Sequence, residues 1–531
     1  MKEEKQKQIN INFQGIALGL IPFLLLAIIY FVGRPVIQVS SVALLTCLVF
    51  GVSTLVTFLV SYEFDKNMKL MYGQLIITGI AFVIWCSGIV GTKPFQWRTF
   101  ASNIQVEEVD TAVEDLPSFE EVAHVSLMDT ESARKLGDRT MGGLKEYVSQ
   151  YNVSDTYTTI SYKGRVVKIA PLEYAGVMKV FKNDTIPGYV IVDTLTNKAE
   201  FVKVEGGMKY SPSDMFSQDL RRHIRKEFPT ELLGGYWNFQ VDEEGHPYWV
   251  VAVQKYTTWQ NARVPYGAIV VDAVTGDMKK YEMSDIPAWV EQVVDGDMVS
   301  RLYNDYGKLK NGFFNFSDTG KTQVTDDYGY VEKDGDIYIY TGVTSVASDE
   351  SNLGFIMVNT RTFECKYYPI AGAEEYSAMA AAEGVVANYG YTASFPSLVM
   401  YSDEPTYVLV LKDDNGLVKK YAMINMKDYT IVTVEDTLAS CQKAYAKAMK
   451  TAGNKDNVDV EVGVVEKVIV KDIQFITTDG ETIAYVKTED GKVFKQAFAE
   501  NETLILIEVG TEVKVEYETL ETITSANITI K

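Results

Sequence analysis

The spacing of hydrophobic positions changes twice along this chain. In the first hundred residues they form three unbroken runs, Gly15–Phe31, Val42–Val60 and Gly73–Val90. Each approaches the roughly 20 apolar residues that cross a bilayer as a helix. No small-residue cleavage site follows the first run, and two more runs come at once. Residues 1–93 are therefore expected to be a retained anchor of three transmembrane helices rather than a cleaved signal. From about residue 129 the runs shorten and alternate with helical periodicity. One pattern stands out at Gly267–Tyr281 (GAIVVDAVTGDMKKY): an apolar strand, an Asp at its end, a tight corner and a more polar return strand. It occurs again at Gly188–Val202 and Gly354–Tyr368, and more weakly at Tyr421–Val434.

Placed among the other elements, these hairpins close a recurring order of helix, strand, strand and hairpin. The spacing predicts helices over 129–151, 171–181, 211–228, 286–306, 373–389 and 435–449. The predicted α+β modules are 129–205, which is divergent, then 206–283, 284–370 and 371–450. Each would bury one face of an antiparallel sheet under a helix. Their unequal lengths suggest tandem domains rather than a solenoid of fixed period. Between the anchor and the first module, residues 94–128 are acidic and poorly periodic, and are expected to form a solvated stalk. A linker at 451–457 precedes residues 458–531, which read as six short strands, one of them Thr503–Ile507. Six strands in so short a stretch suit a small OB-like or SH3-like barrel.

Charge refines this outline. Residues 1–98 carry eight Lys/Arg against four Asp/Glu, so of the net −21 the remainder carries −25. That remainder is a poor partner for nucleic acid, which needs a cationic face. Lys2, Lys5, Lys7, Lys66 and Lys69 outnumber Arg34, Lys93 and Arg98 on the opposite side of the spans. The bias places the N-terminus in the cytoplasm and residues 94–531 outside. No Asp, Glu, Lys or Arg falls mid-span, which favours anchoring over transport.

Candidate chemistry is sparse. His124, His223 and His246 are the three histidines, and the four cysteines show no CxxC or Cys/His spacing, so neither a His-based hydrolase nor a zinc site has support. Asp318–Thr322 lacks the leading Gly of a phosphate loop, and Asp413–Gly416 and Asp334–Asp336 lack the ligand series of a calcium loop. No catalytic residue, metal ligand or cofactor is therefore assigned. Cys365 and Cys441 are candidates for a disulfide outside the cell, the alternative being two separate buried thiols. Asp193, Asp272 and Asn359 occupy equivalent hairpin turns. They either contact a bound peptide edge or satisfy the amides of their own turns, and the second reading is the simpler.

Asp214–Tyr281, ending in PYGAIVVDAVTGDMKKY, resembles a PepSY domain, with Asp272, Thr275 and Gly276 matching that family's turn. The other modules resemble it less closely: Asn359-Thr360-Arg361-Thr362 loses both Asp and Gly, and Asn425 departs further. The resemblance implies an extracytoplasmic binding or inhibitory module. The whole chain is also similar to multi-span membrane proteins of Gram-positive bacteria, a resemblance that carries no function. The expectation is a membrane-anchored, non-enzymatic protein that binds or regulates another envelope protein. The alternatives are a structural or assembly component, including a homo-oligomer, and an envelope hydrolase with carboxylate chemistry, for which two acidic groups must share a cleft.

Overall fold

The computed structural model describes residues 13–64, 68–109, 116–119, 126–194, 196–452, 464–478, 481–498, 501–517 and 524–530. The chain divides into two bodies, Met1–Tyr445 and Ala446–Lys531.

The first body begins with α1 (Phe13–Gly33), α2 (Val39–Phe64) and α3 (Met68–Cys86), three helices long and apolar enough to cross a membrane. Lipid tails are as apolar as Leu, so burial alone does not hold such helices together; close packing and interhelical hydrogen bonds do. Gln74 supplies the bonds. Its amide donates to Leu18 O (3.0 Å) on α1 and Ser53 Oγ (2.9 Å) on α2, and its oxygen accepts from Thr57 Oγ1 (2.9 Å). The 33–38 connector and the end of α3 then clasp the sheet region. Ile37 N donates to Pro229 O (2.8 Å), Thr258 Oγ1 to Gly91 O (2.8 Å) and Trp259 Nε1 to Ser87 Oγ (2.8 Å). A Cβ at Gly91 would lie 2.0 Å from the Trp259 carbonyl, so only glycine allows this approach.

Residues 94–128 are not a solvated stalk where they are described. Helix α4 (Lys93–Ala101) packs Phe100 inward, and Val106–Glu108 adds a parallel edge strand to Cys365–Tyr368. Ile104, Leu116, Phe119, Leu127 and Met128 are buried. The carboxylates of Glu107 and Glu108 stay exposed, so the acidic run is the wet side of a docked segment.

Four antiparallel sheets follow, each after a helix: α5 (Thr130–Gly143), α7 (Leu220–Glu227), α8 (Gly296–Leu309) and α9 (Glu375–Val385), with the single turn α6 (Val177–Val180) inside the first. Their strand order is the same. In sheet 1, Tyr151–Val153 and Thr158–Tyr162 both pair Arg165–Tyr174, which pairs Ile186–Asp193, which pairs Lys198–Met208. In sheet 2 the corresponding strands are Leu232–Leu233, Asn238–Val241, Pro247–Tyr256, Arg263–Asp272 and Met278–Glu282. Sheet 3 uses Thr322–Val324, Gly329–Lys333, Asp336–Ser345, Ser348–Asn359 and Cys365–Tyr368. Sheet 4 uses Thr392–Ala393, Ser397–Tyr401, Glu404–Lys412, Val418–Asn425 and Val432–Glu435.

Four of the expected helices differ, the one over 129–151 ending at Gly143 with Tyr151 already in a strand. Pro171 and Leu172 continue a strand, because Pro171 falls in the gap between the two short edge strands, where a missing amide donor costs little. Helix α7 starts at Leu220 because Asp219 caps it through Arg222 N (2.7 Å), and α8 starts at Gly296 because Asp295 caps it through Met298 N (2.9 Å).

The sheets share cores instead of standing as separate domains. Val251, Val253, Ile269 and Val271 of sheet 2 pack with sheet 1, while Val250, Ala252, Ala268 and Val270, one residue out of phase, pack with α8 and sheet 3. Sheet 3 repeats this: Ile339, Ile356 and Val358 face sheet 2, and Tyr340, Phe355 and Met357 face α9 and sheet 4. Boundaries at 205, 283 and 370 are thus chain boundaries without being packing boundaries.

In the second body the strand order is Thr524–Ser525, Val493–Ala497, Glu481–Thr488, Val464–Thr478, Glu512–Tyr517, Asn527–Ile530. The two outermost strands are neighbours in the chain, so the sheet curls back towards itself. Thr503–Ile507, expected as a strand, is instead taken up by a 3-10 helix over Glu502–Leu506 capped by Asn501 (Thr503 N, 3.1 Å). Leu504 and Ile507 are buried while Ile505 and Leu506 are 67% and 68% exposed, a spacing of three that no strand gives. Of the expected linker at 451–457, residues 453–457 lie outside the described residues. Helix α10 (Leu438–Thr451) runs across the division between the bodies.

Candidate functional site

The hairpin residues singled out by sequence are distributed, one to a sheet. Each ends its strand, and its side-chain oxygen accepts from amides of the turn that follows. Asp272 takes Val274 N (2.8 Å) and Thr275 N (2.9 Å); Asn359 takes Arg361 N and Thr362 N (2.9 Å each); Asp193 takes Thr196 N (2.9 Å). Asn425 does the same with Lys427 N and Asp428 N (2.9 Å each), so the most divergent copy keeps the same chemistry. An acceptor oxygen is what the turn requires, and Asp and Asn both supply it. The remaining atoms are also engaged: Asp193 with Arg165 (2.6 Å), Asp272 with His246 Nε2 (3.0 Å), Asn359 Nδ2 with Asp336 (2.9 Å). Burial alone would raise the Asp272 carboxyl, but the Thr275 and Val274 amides and His246 outweigh it and hold it below its ordinary value.

Cys365 and Cys441 are free, buried thiols and form no disulfide. Cys365 lies in the core between sheets 2 and 3, whereas Cys441 lies on α10 against Thr433 O (3.4 Å). Burial pushes their pKa values up to about 12 and about 11. The pair was suggested by an extracytoplasmic setting; the arrangement is instead the alternative reading, two separate buried thiols.

The site that all four sheet modules build together is a polar cleft of about 420 Å³. The first module contributes Asp129, Asp155, Tyr157 and Lys168, the second Tyr236 and Asn238, the third Asp295, Asp327, Tyr328 and Tyr330, and the fourth Phe395 and Ser397. Helix starts and strand ends aim these groups. Asp129 caps α5 through Ser132 N (2.8 Å) and pairs with Lys412, while Asp295 caps α8. Lys168 comes from the middle of a central strand, is fully buried, and donates to Thr159 Oγ1 (3.0 Å) with its ammonium 5.8 Å from the Tyr330 ring. Tyr328 and Tyr330 meet edge to face at 5.7 Å, and the Tyr157 hydroxyl is buried with no hydrogen-bond partner among the described residues.

Electrostatics separate these groups. Burial lowers the Lys168 pKa to about 8, with Asp129 opposing. Burial raises Asp295 and Asp327, and neighbouring carboxylates raise them further, Asp297 acting on both. Asp129 goes the other way, because Lys412 and the Ser132 amide more than offset its burial. Among the described residues no group of three or more His, Cys, Asp or Glu is placed to hold a metal ion. Asp129 stands at the start of the helix predicted over 129–151, and the rest of the cleft was not marked in the sequence. The one available signal was Lys168, a lone charge inside the apolar run Val166–Leu172.

No protein-family model matches the chain, and no curated protein matches it. Among solved structures, the chain aligns with a point mutant of Synechocystis apocarotenoid oxygenase at 7% identity, covering 74% of this chain and 67% of that one, with a TM-score of 0.15. The cobalt-substituted form of the same oxygenase aligns at 8% identity, with the same coverage and a TM-score of 0.14. Likeness at that level carries no structural or functional argument.

Proposed function

We propose that this chain is a membrane-anchored binding or regulatory protein, with its N-terminus in the cytoplasm and residues 94–531 extracytoplasmic, acting on another envelope protein. In this reading the four modules are a tandem PepSY-like array and the second body is an OB-like or SH3-like barrel. The common strand order and the shared turn chemistry of Asp193, Asp272, Asn359 and Asn425 support the array. The observation that carries the binding role is the cleft: four modules pool carboxylates and aromatic rings in one cavity. Carboxylates beside tyrosine faces favour a cationic group, so the partner presents a basic side chain.

A photoreactive amino acid in place of the half-exposed Tyr236 of the full-length protein, in native membranes, tests this. The expected result is one dominant cross-linked envelope protein, lost when Asp295→Asn and Asp327→Asn are combined. Cross-links to the chain itself alone would favour an assembly role and overturn the proposal.

A second reading rests on one specific observation. Asp129 and Asp327 share the cleft with their pKa values pushed in opposite directions, the arrangement of an acid and a base. It makes the chain a carboxylate-dependent hydrolase of envelope glycan. Release of reducing ends from cell-wall glycan by the purified protein, abolished by Asp327→Asn, would support it; no release by the wild type would remove it.

A further inference from the structure

Where the anchor meets sheet 2 there are two adjoining depressions of opposite character. The first is a groove of about 540 Å³ between α2 and α3, lined by Val39, Val42, Ala43, Ile80, Ala81 and Ile84 among others. It occupies the ends of these helices nearest the sheet region, with the small residues Ala43 and Ala81 as its buried floor. The second is a pocket of about 340 Å³ lined by Tyr256, Thr257, Thr258, Trp259 and Gln260. Gln38 and Val39 line both, so the two are continuous. The apolar part lies within membrane-spanning segments, where the surrounding medium is acyl chains. The polar part begins where those segments end.

We propose that this composite is a site for a single membrane lipid with an uncharged, hydroxyl-bearing head group. One acyl chain lies in the α2–α3 groove and the head enters the pocket beneath residues 256–260. Three observations carry the assignment. The volumes fall within the ordinary range of small-molecule sites. The polar pocket is lined by hydroxyl, amide, phenol and indole groups with no charged side chain, whereas recognition of anionic heads uses Lys and Arg. Finally, Gln260, which lines the pocket, is held by its amide nitrogen to Ile84 O (3.2 Å), and its Oε1 is buried without a partner among the described residues. A buried amide oxygen without a donor is costly, and a hydroxyl of the head group would satisfy it. Trp259, its indole fixed on Ser87, stands at the level where Trp marks a membrane interface.

The test uses the full-length protein in phosphatidylcholine nanodiscs containing a trace of monoglucosyl diacylglycerol with a photoreactive acyl chain. The expected labelling concentrates on 39–46, 77–84 and 256–260, and is competed by unlabelled monoglucosyl diacylglycerol but not by phosphatidylglycerol. Gln260→Ala weakens the competition about fivefold, the worth of one neutral hydrogen bond. Ala81→Phe, which fills the groove floor, removes the labelling; if that variant does not fold, Gln260→Ala, at a part-buried loop position, still decides. Uniform labelling around the anchor, equal competition by phosphatidylglycerol, unchanged competition in Gln260→Ala, or cross-links joining a second copy's helix to the groove would each overturn the proposal.

Discussion

The helix bundle and the stacked sheets are one body held together by opposite means. In the bundle most large apolar side chains face outward and a glutamine ties the three helices together. In the sheets the apolar side chains fill cores on both sides of sheets 2 and 3, and the buried polar groups are mostly hydrogen-bonded, the Tyr157 hydroxyl being one exception among the described residues. The difference teaches that the medium decides which residues act as glue. Where lipid surrounds a helix, leucine gains little by turning inward and a hydrogen bond counts for more. Where water surrounds a sheet, withdrawing apolar surface from that water stabilises the fold more than any other contribution.

Substitutions of matched type break or sharpen this contrast. Phe239, sealed between Tyr189 (5.5 Å) and Trp249 (5.2 Å), is expected to cost about 3–5 kcal/mol on Phe239→Ala. Leu59→Ala in α2, where the side chain is 60% exposed, is expected to leave the unfolding midpoint in detergent unchanged. Denaturant titration of both proteins checks the pair, and comparable losses would remove the contrast.

Next in size is a pH effect. Glu291 is buried between sheets 1 and 3, accepts from Ser161 N (2.5 Å), and has its pKa raised to about 8, chiefly by burial. The folded state therefore holds a proton that the unfolded chain releases near the ordinary Glu value of about 4.3. Stability from this group is fully present below that value and is lost as pH rises towards 8. Glu291→Gln is expected to flatten the melting temperature between pH 5 and 8, as measured by scanning fluorimetry; an unchanged slope would show that the group does not govern it.

Gln74→Leu is smaller, about 1–2 kcal/mol at most, read as looser association of the three helices in detergent. Smallest of all is Asp272→Asn, which keeps the turn acceptor and is expected to shift stability by less than about 1 kcal/mol, whereas Asp272→Ala loses both amide bonds. Equal losses in the two variants would mean that charge, and with it His246, matters more than the turn.

Elements governed by local rules were legible in the sequence. The three spans, the hairpins at Gly267–Tyr281 and Gly354–Tyr368, and α9 and α10 follow from run length, alternation and helical spacing. What escaped depends on partners distant in sequence. The carboxylates of 94–128 hid an edge strand because alternation over three residues is too short to register. The continuous apolar run Trp249–Val253 was a legible sign that both faces of sheet 2 are covered, yet its second cover, α8, lies beyond the next hairpin. The cleft was invisible because its acids are caps and turn residues locally, and only the stacking of four sheets brings them together.

The clasp between the 33–38 connector, the end of α3 and the loops of sheet 2 has a mechanical consequence. The sheet stack is not tethered by a slack leash, so it sweeps out no hemisphere of search. In the proposed membrane-anchored binding role its height above the bilayer is set, and encounter with an embedded partner becomes a matter of lateral diffusion in two dimensions. Like a gauge fixed to a surface, in that role it would engage only targets that present themselves at the right elevation.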